Sequence, residues 1–337
     1  MQPRNTLISI SADSMKTPPN EGRNMSILNQ RDTLSGRFVI TRSENLEDKL
    51  RKWAKPPSDT EIEKCDRVVR MVKAAIDADK KLQTLDLEVY AKGSYANRTN
   101  IPADSDVDVA VLIKPLYFND YPENTTAADF GFVSATYTYQ DFKRDVASAI
   151  VNYFGADQVQ VGDKAIKIHS NTVRVDADVV AHTVHRRFSA DRKFVEGVAL
   201  VTKEGKTVYN WPQQDYDNGV SKNERTSKRY KAVVRILKNL RGEMLENGYS
   251  KAEKARSYLI ACLAWNVPDY FFEEESYTKM IEDCLSYLVE RTSALENVNE
   301  WGEVNELKYL FRPQQGWKFD EVHDFLVEAL SYFRKLK

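Results

Sequence analysis

The sequence predicts an α+β fold in which a mixed sheet with helices is followed by a helical lobe. Three stretches, 85–91, 106–113 and 172–183, alternate apolar and polar residues with the period of two that is typical of strands. From residue 221 onward, apolar residues mostly recur every three to four positions, which is typical of amphipathic helices. The change of period near Tyr209 therefore separates a mixed front part from a helical back part.

Length, composition and charge limit the classes of function. With 337 residues the chain can form two domains or one large two-lobed unit, and 42% hydrophobic and 29% charged residues are typical of a soluble globular protein. The formal net charge is −1, so bulk charge does not attract a long nucleic acid. Any phosphate binding must come from a local cluster of residues.

The cysteines and the apolar runs predict a cytoplasmic protein. The three cysteines are widely spaced and form no CxxC pair, which argues against a disulfide framework or a zinc site. The first residues lack the apolar core of a signal peptide, and no apolar run approaches the ~18 residues of a membrane helix. We expect no membrane partner.

The chain is expected to divide into three parts. Residues 1–43 are polar without a sustained period and predict a flexible leader. Residues 44–208 would form the sheet-and-helix core, and residues 209–337 the helical lobe. Ser58 and Glu61 have the spacing of a capping box, and the helix that they open is expected to bridge the two lobes.

Apolar periodicity, caps and turn residues predict the individual elements. In the front part we expect helices at 45–55, 59–82 and 139–154 and strands at 85–91, 106–113, 158–161, 164–170 and 172–183. In the back part we expect helices at 221–246, 250–266, 272–292 and 319–336.

An acidic pair begins the second strand. Because strand side chains alternate, Asp106 and Asp108 project to one face while Val107 and Val109 pack on the other. The two carboxylates are then about 7 Å apart along the strand. Two like charges this close repel one another unless a cation neutralises them, which indicates a site for a divalent metal.

The strand at 172–183 offers a third acid, because its alternation sends Asp176 and Asp178 to one face. Three carboxylates on two strands could hold two Mg²⁺ ions, since hard cations prefer oxygen ligands. The alternative is a solvated strand edge whose acids prevent aggregation. Gly93-Ser94 favours the site, because a glycine turn lets backbone N–H groups and a hydroxyl approach phosphate oxygens closely.

Five segments together resemble a known family: GSYANRTNI, SDVDVAV, RVDADVV, DNGVSKNERTSKRYKAVVRILKNLR and RSYLIACLAWNVP. They are similar to the bacterial cGAS/DncV-like nucleotidyltransferases, the CD-NTases, and most similar to their clade E, within the DNA polymerase β-like superfamily. The resemblance runs from about Trp53 to beyond Pro268. It implies a polymerase β-like core followed by a helical lobe, with the site in the cleft.

The resemblance also implies roles for single residues. It assigns Asp178 as the third ligand beside Asp106 and Asp108, although Ala181 stands where the family usually has proline, and it leaves Asp176 as a supporting acid. The metals would be two Mg²⁺ ions, with Mn²⁺ as an alternative.

Gly93, Ser94, Lys238 and Ser257 would hold the triphosphate. In DNGVSKNE, Asn223 is the candidate for reading the base edge and Asn218 the alternative, because an amide presents both a donor and an acceptor. The other reading of either asparagine is a helix cap or a turn residue.

The implied activity is synthesis of a cyclic dinucleotide from two NTPs, with ATP and UTP as favoured substrates and a pyrimidine-containing product such as cyclic UMP-AMP. The implied context is antiphage signalling with a separately encoded effector and no nucleic-acid activator. Two other functions stay open: nucleotidyl transfer to an antibiotic, a protein or an RNA end, and a catalytically silent nucleotide-binding module.

Overall fold

The computed structural model describes residues 45–101, 106–172, 174–312 and 316–337, all within the compact unit Asn45–Lys337. The predicted leader, residues 1–43, lies outside the described residues. Within the described ranges, no helix combines the length and the apolar character needed to cross a membrane.

The described strands form one mixed sheet. They are β1 (Leu87–Ala91), β2 (Val107–Tyr117), β3 (Val159–Val161), β4 (Ile166–Ile168), β5 (Ala177–Phe188), β6 (Phe194–Val201) and β7 (Thr207–Asn210). β2 and β5 are parallel and every other pair is antiparallel, in the order β1-β2-β5-β4-β3, with β6 paired to β5 and β7 to β6. β5 is therefore central: β2 lies along one side, and β4 and β6 share the other.

The register gives the sheet two unlike faces. Asp108 of β2 lies opposite Asp178 of β5, so both carboxylates are on one face, which we call the site face. The alternate residues, such as Val109 and Val179, are fully buried on the other face. There they pack in one apolar cluster with side chains of two helices that cover the sheet. One face of the sheet is thus covered by helices, and the other carries the two carboxylates.

The described helices precede, interrupt and follow the sheet. The first four are α1 (Leu46–Trp53), α2 (Asp59–Ala78), α3 (Gly93–Ala96) and α4 (Tyr139–Phe154). The later five are α5 (Pro212–Arg225), α6 (Arg229–Glu246), α7 (Ser257–Trp265), α8 (Tyr277–Arg291) and α9 (Phe319–Lys335). The expected mixed front and helical back are confirmed, and the division at residues 208 and 209 stays a prediction.

Local chemistry explains where the helices of the front part begin. The Ser58 side chain accepts the backbone N–H of Glu61, whose carboxylate accepts the N–H of Ser58 in return at 2.7 Å. Thr138 and Asp141 form the same reciprocal box before α4. Each box satisfies donors that would otherwise lack a partner at a helix start. The expected α4 bounds agree with the structure at both ends.

Two of the helices expected in the back part were wrong. The segment 221–246 is not one helix, because Ser227 and Lys228 have φ of 48° and 65°, which end α5 and turn the chain into α6. The segment 250–266 is not one helix either, because a 3-10 turn at Ser250–Lys254 precedes α7.

The bridging role expected of α2 stays a prediction. This helix ends at Ala78 and contributes its buried side chains to the sheet cluster. Leu50 of α1 belongs to the helical cluster, so the chain crosses between the clusters just before α2.

A buried arginine of α6 binds the segment in which the chain crosses between the two clusters. Arg235 of α6 is 6% exposed, and its guanidinium donates to the carbonyl of Ala54 at 2.6 and 2.9 Å and to the carbonyl of Arg98 at 2.7 Å. Burial lowers the pKa of Arg235 to about 10, so it keeps its charge at neutral pH. It therefore holds together the end of α1, the segment after α3 and the helix α6.

Candidate active site

The two strand aspartates are held side by side by the sheet. Asp108 and Asp178 are directly paired across parallel strands, which places their Cα atoms about 5 Å apart on the site face. Asp106 lies just before β2 and, two residues from Asp108, projects to the same side. The expected acidic set of Asp106, Asp108 and Asp178 thus lies on one side of the sheet.

The electrostatics of this set are unfavourable. Burial raises the pKa of Asp108, and the negative charges of Asp178 and Asp106 raise it further, while Lys92 and Lys238 oppose the rise. Burial also raises the pKa of Asp178, and here Lys167 is the main opposing charge. Lys167 lies 3.2 Å from Asp106 Oδ2. Asp108 and Asp178 therefore stand in partly desolvated surroundings, and nearby lysines partly compensate their charge.

These residues fit a divalent metal by the chemistry of their atoms. The donors are oxygens, which Mg²⁺ prefers, and the raised pKa values indicate negative charge that a cation would stabilise. In the described part of the chain, no group of three His, Cys, Asp or Glu side chains is arranged closely enough to hold a metal. The Asp106 carboxylate is instead paired with Lys167.

The Gly-Ser turn is built against the acids. Gly93 begins α3 with φ of 67°, and a Cβ atom on it would lie 2.3 Å from Asp108 Oδ2. Glycine is therefore required twice, for its backbone conformation and for the close approach of Asp108. The carbonyl of Ser94 accepts the N–H of Thr99 at 2.9 Å, which folds the following segment back over the turn.

A cavity of about 300 Å³ opens beside the turn. Its lining includes five of the residues expected to form the site: Gly93, Ser94, Asp108, Lys238 and Ser257. Lys238 comes from α6 and is almost fully buried, and Ser257 is the first residue of α7. Lys231, one turn before Arg235, also lines the cavity. Two lysines and a serine of the helical part thus line the same cavity as Asp108 of the sheet, whereas Asp106 and Asp178 are absent from its lining.

The structure does not bring Asn223 into this cavity. Its side-chain oxygen accepts the backbone N–H of Lys231 at 3.1 Å, so it serves the first turn of α6. Its own carbonyl accepts the N–H of Lys228 at 2.6 Å. Asn218, the alternative, donates to the carbonyl of Val304 at 2.8 Å and is also absent from the lining. Both asparagines therefore have turn and connecting roles.

Asp176 also lies apart from the cavity lining. Its Oδ1 accepts the backbone N–H of Ser170 at 2.7 Å, and the residue lines a separate surface groove between α2 and the segment before β5. Asp106 and Asp178 are absent from the lining of this cavity as well, but Asp178 pairs with Asp108 in the sheet, whereas Asp176 precedes β5. The geometry therefore supports Asp178 over Asp176 as the third acid of the set.

Asn210 is a polar residue of the cavity that sequence reasoning missed. It ends β7, and its partner in the sheet is Val198, which also lines the cavity. Its amide offers one acceptor and two donors to an occupant. The only sequence signal is its place at the end of a strand before Trp211-Pro212, and many turns share that signal.

Asp215 and Tyr258 form a second missed group. Both line the cavity, and the Tyr258 hydroxyl donates to Asp215 Oδ1 at 2.9 Å, while Asn305 donates to the same oxygen at 3.2 Å. Burial raises the pKa of Asp215 to about 6, and the nearby charge of Glu303 contributes to the rise. This wall of the cavity is therefore polar but poorly solvated.

Comparison with known proteins agrees with this geometry. The model of the cGAS/DncV-like nucleotidyltransferase C-terminal helical domain matches residues 217–334. The chain is 42% identical to a cyclic dipyrimidine nucleotide synthase CdnE of Legionella pneumophila, covering 86% of this chain and 98% of the relative. It is 36% identical to the protein of the same name from Cecembia lonarensis, covering 83% and 96%.

A solved structure shares the fold. The Rhodothermus marinus CdnE c-UMP-AMP synthase with Apcpp and Upnpp superposes with a TM-score of 0.74 at 31% identity, covering 86% of this chain and 95% of that chain. The expected polymerase β-like core with a C-terminal helical lobe is thereby confirmed, and so is the resemblance read from the sequence motifs.

Replacing Gly93 by alanine should abolish nucleotide binding as well as destabilise the fold. The new Cβ would collide with Asp108 Oδ2, so the carboxylate must move. The control is Gly131→Ala: Gly131 has φ of 79° with no atom within 4 Å of a Cβ, so it reports backbone strain alone, about 1–2 kcal/mol. Urea unfolding and calorimetric binding of a non-hydrolysable NTP analogue measure both effects. Equal stability losses and unchanged binding in the two variants would contradict the prediction.

Asp215→Asn should become more stable relative to wild type as pH rises. The folded pKa near 6 exceeds the ordinary 3.8, so wild type loses stability between pH 4 and 6 as the unfolded chain ionises first. The free energy of unfolding of Asp215→Asn minus that of wild type should grow by up to about 3 kcal/mol as pH rises and should level off above pH 6. Denaturant unfolding from pH 4.5 to 7.5 measures it, with the exposed Asp217→Asn as control. A difference independent of pH would show the prediction to be wrong.

Proposed function

This chain belongs to the cGAS/DncV-like nucleotidyltransferases of the CdnE type, and we propose that it joins two NTPs into a cyclic dinucleotide with release of pyrophosphate. A pyrimidine-containing product such as cyclic UMP-AMP, made from UTP and ATP, is favoured by the names of its relatives. One observation carries the proposal: Asp108, which pairs with Asp178 in the sheet, lines one cavity together with the Gly93-Ser94 turn, Lys238 and Ser257.

The residues divide the work by their chemistry. Asp106, Asp108 and Asp178 would hold two Mg²⁺ ions, with Mn²⁺ as the alternative. When bound, such ions activate the attacking hydroxyl and neutralise charge on the attacking and leaving oxygens. Ser94, Lys238 and Ser257 bind the triphosphate by hydrogen bonds and by charge, and Lys231 adds a second ammonium on the same side.

The reaction is a displacement at phosphorus. The ribose hydroxyl of one nucleotide forms a P–O bond to the α-phosphorus of the other, the bond to pyrophosphate breaks, and the hydroxyl proton passes to solvent. The fixed positions of the acids and of the Gly-Ser turn lower the barrier by alignment, because the groups need no rearrangement when charge develops. A second displacement in the same cavity closes the ring.

The product would act as a signal in antiphage defence through an effector protein encoded separately. With a net charge of −1, the chain offers no bulk attraction to a nucleic-acid activator, and free NTPs are sufficient substrates for the proposed reaction.

The central test is product formation. Purified protein with the four NTPs and Mg²⁺ or Mn²⁺ should give phosphatase-resistant products whose masses match cyclic dinucleotides. Asp106→Asn, Asp108→Asn and Asp178→Asn should each lower the rate at least about 100-fold, because removal of a carboxylate leaves fewer charges to bind the metal. Asp176→Asn is the matched control, because Asp176 lies just before β5 and its carboxylate accepts the backbone N–H of Ser170, and this variant should keep most of the rate.

Absence of a resistant product from wild type, or equal product from wild type and the Asp106→Asn/Asp108→Asn double variant, would overturn the proposed function. A linear dinucleotide, which keeps terminal phosphates that a phosphatase removes, would show the first displacement without ring closure and would overturn the cyclic product.

Base choice should depend on Asn210. Asn210→Ser removes the amide from the cavity wall and should shift the ratio of incorporated bases about 10-fold without abolishing turnover, because one well-placed hydrogen-bonding group discriminates by about that factor or more. Asn223→Ser is the control, since its side chain serves α6 outside the cavity. Competition among the four NTPs, read by mass, measures the ratio. A shift caused by Asn223→Ser alone would return base reading to that residue.

A further inference from the structure

A buried histidine in the cavity wall lacks hydrogen bonds. His182 of β5 is 1% exposed and lines the cavity, yet neither Nδ1 nor Nε2 has a hydrogen-bond partner among the residues that the structure describes. The backbone carbonyl of Ala199 is near enough to favour the protonated ring slightly, but it forms no well-aligned bond. Buried polar atoms in folded proteins are nearly always paired, so this ring requires an explanation.

The ring is neutral at any pH at which the protein would work. Burial, with help from the charge of Lys92, lowers the pKa of His182 to about 3. A neutral imidazole carries one N–H donor and one nitrogen acceptor. His182 therefore offers a pair of uncharged hydrogen-bonding atoms, which suit hydroxyls and base edges better than phosphates.

The position of His182 on the site face agrees with such a partner. It lies four residues beyond Asp178 on the same strand and the same face, about 13 Å along β5. Two residues further, Val184 pairs with Val198, which pairs with Asn210. Along β5, His182 thus lies between Asp178 and the position whose pairing leads through Val198 to Asn210.

We propose that His182 binds the nucleoside part of a substrate, with its imidazole hydrogen-bonding a ribose hydroxyl or a base edge. This inference rests on the proposed function, because it takes the occupant of the cavity to be a nucleotide. The shared chemistry is that of an uncharged polar group of the nucleoside. The ring remains unpaired in the empty protein and acquires its partner when the nucleotide enters.

Removing the unpaired ring should change the stability of the empty protein and its affinity for a nucleotide in opposite directions. An unpaired buried polar group costs stability in the empty protein, and a ligand that pairs it recovers that cost on binding. Replacing the ring by an apolar one of similar size should therefore maintain or raise the stability of the empty protein while weakening nucleotide binding. A residue with a purely structural role would change stability and binding in the same direction.

The experiment compares His182→Phe with His182→Gln. His182→Phe should bind a non-hydrolysable UTP or ATP analogue 10- to 100-fold more weakly, measured by calorimetry with Mg²⁺ present, with an unfolding temperature no lower than that of wild type. His182→Gln retains a donor and an acceptor and should recover at least part of the affinity. Binding without turnover is measured, so the result is independent of whether a cyclic product forms.

His185 provides a matched control three residues along the same strand. It is also buried, but it projects to the opposite face, its Nδ1 contacts the carbonyl oxygen of Phe118 at 2.6 Å, and its ring stacks on Tyr209. His185→Phe should lower the unfolding temperature and leave the affinity for the analogue unchanged. The pair of variants therefore separates a contact with the nucleotide from a contribution to the sheet.

Two further ligands identify the group that His182 contacts. If the partner is a ribose hydroxyl, 2′-deoxy or 3′-deoxy UTP should bind wild type more weakly than UTP, and this difference should vanish in His182→Phe. If the partner is the base edge, the preference between UTP and CTP should change instead.

Equal affinity in wild type and His182→Phe would mean that water alone satisfies the ring and would overturn the inference. Failure of His182→Gln to bind better than His182→Phe would assign the loss to shape and would overturn it too. If wild type binds the analogue but makes no cyclic product, the proposed function fails while the binding role stands.

Discussion

The repulsion between carboxylates that the sheet forces together is the constraint on which the site depends. Parallel pairing of β2 and β5 places Asp108 and Asp178 on the same face about 5 Å apart, and burial weakens the screening between them. Three lysines partly compensate this negative charge: Lys92 after β1, Lys167 in β4 and Lys238 in α6. The helical part therefore contributes one lysine to this compensation and also lines the cavity.

The basic residues around α6 show how one sequence pattern can serve several structural roles. Their spacing in the sequence is three, four and three residues, which would put Lys228, Lys231, Arg235 and Lys238 on one side of a single helix, but the structure separates them. Lys228 precedes the helix in a left-handed conformation, and Arg235 donates its hydrogen bonds to backbone carbonyls. Lys231 and Lys238 line the cavity. Periodicity identifies the face of a helix correctly, but it does not say whether an opposing carbonyl or an open cavity meets each residue.

Strong local signals made much of the fold predictable. The capping boxes at Ser58 and Thr138 and the alternating valines around Asp108 act within a few residues, so α2 and α4 begin where the sequence predicts and β2 begins one residue later. The break after α5 escaped prediction because Ser227 and Lys228, rather than glycine, adopt positive φ. That break is also why Asn223 faces α6: its role depends on a turn without a sequence signature.

Long-range contacts account for the other differences. Leu50 packs among helices that begin some 180 residues later, and Asn210 gains its place in the cavity only when β7 pairs with β6. Neither position differs in sequence from an ordinary apolar helix residue or a strand end. The acids and the Gly-Ser turn were recognisable because their chemistry is unusual for those local positions, whereas an amide or a histidine on a strand is not.

The central strand β5 also limits how this protein can evolve. It carries Asp178 and His182 on one face and pairs with β6, which in turn pairs with the strand that ends at Asn210. One stretch of backbone therefore fixes the spacing of these three residues along the sheet. Insertion of a single residue along it would turn every later side chain to the opposite face. New substrate preferences can therefore arise by exchanging side chains of β5, but scarcely by changing the length of this strand.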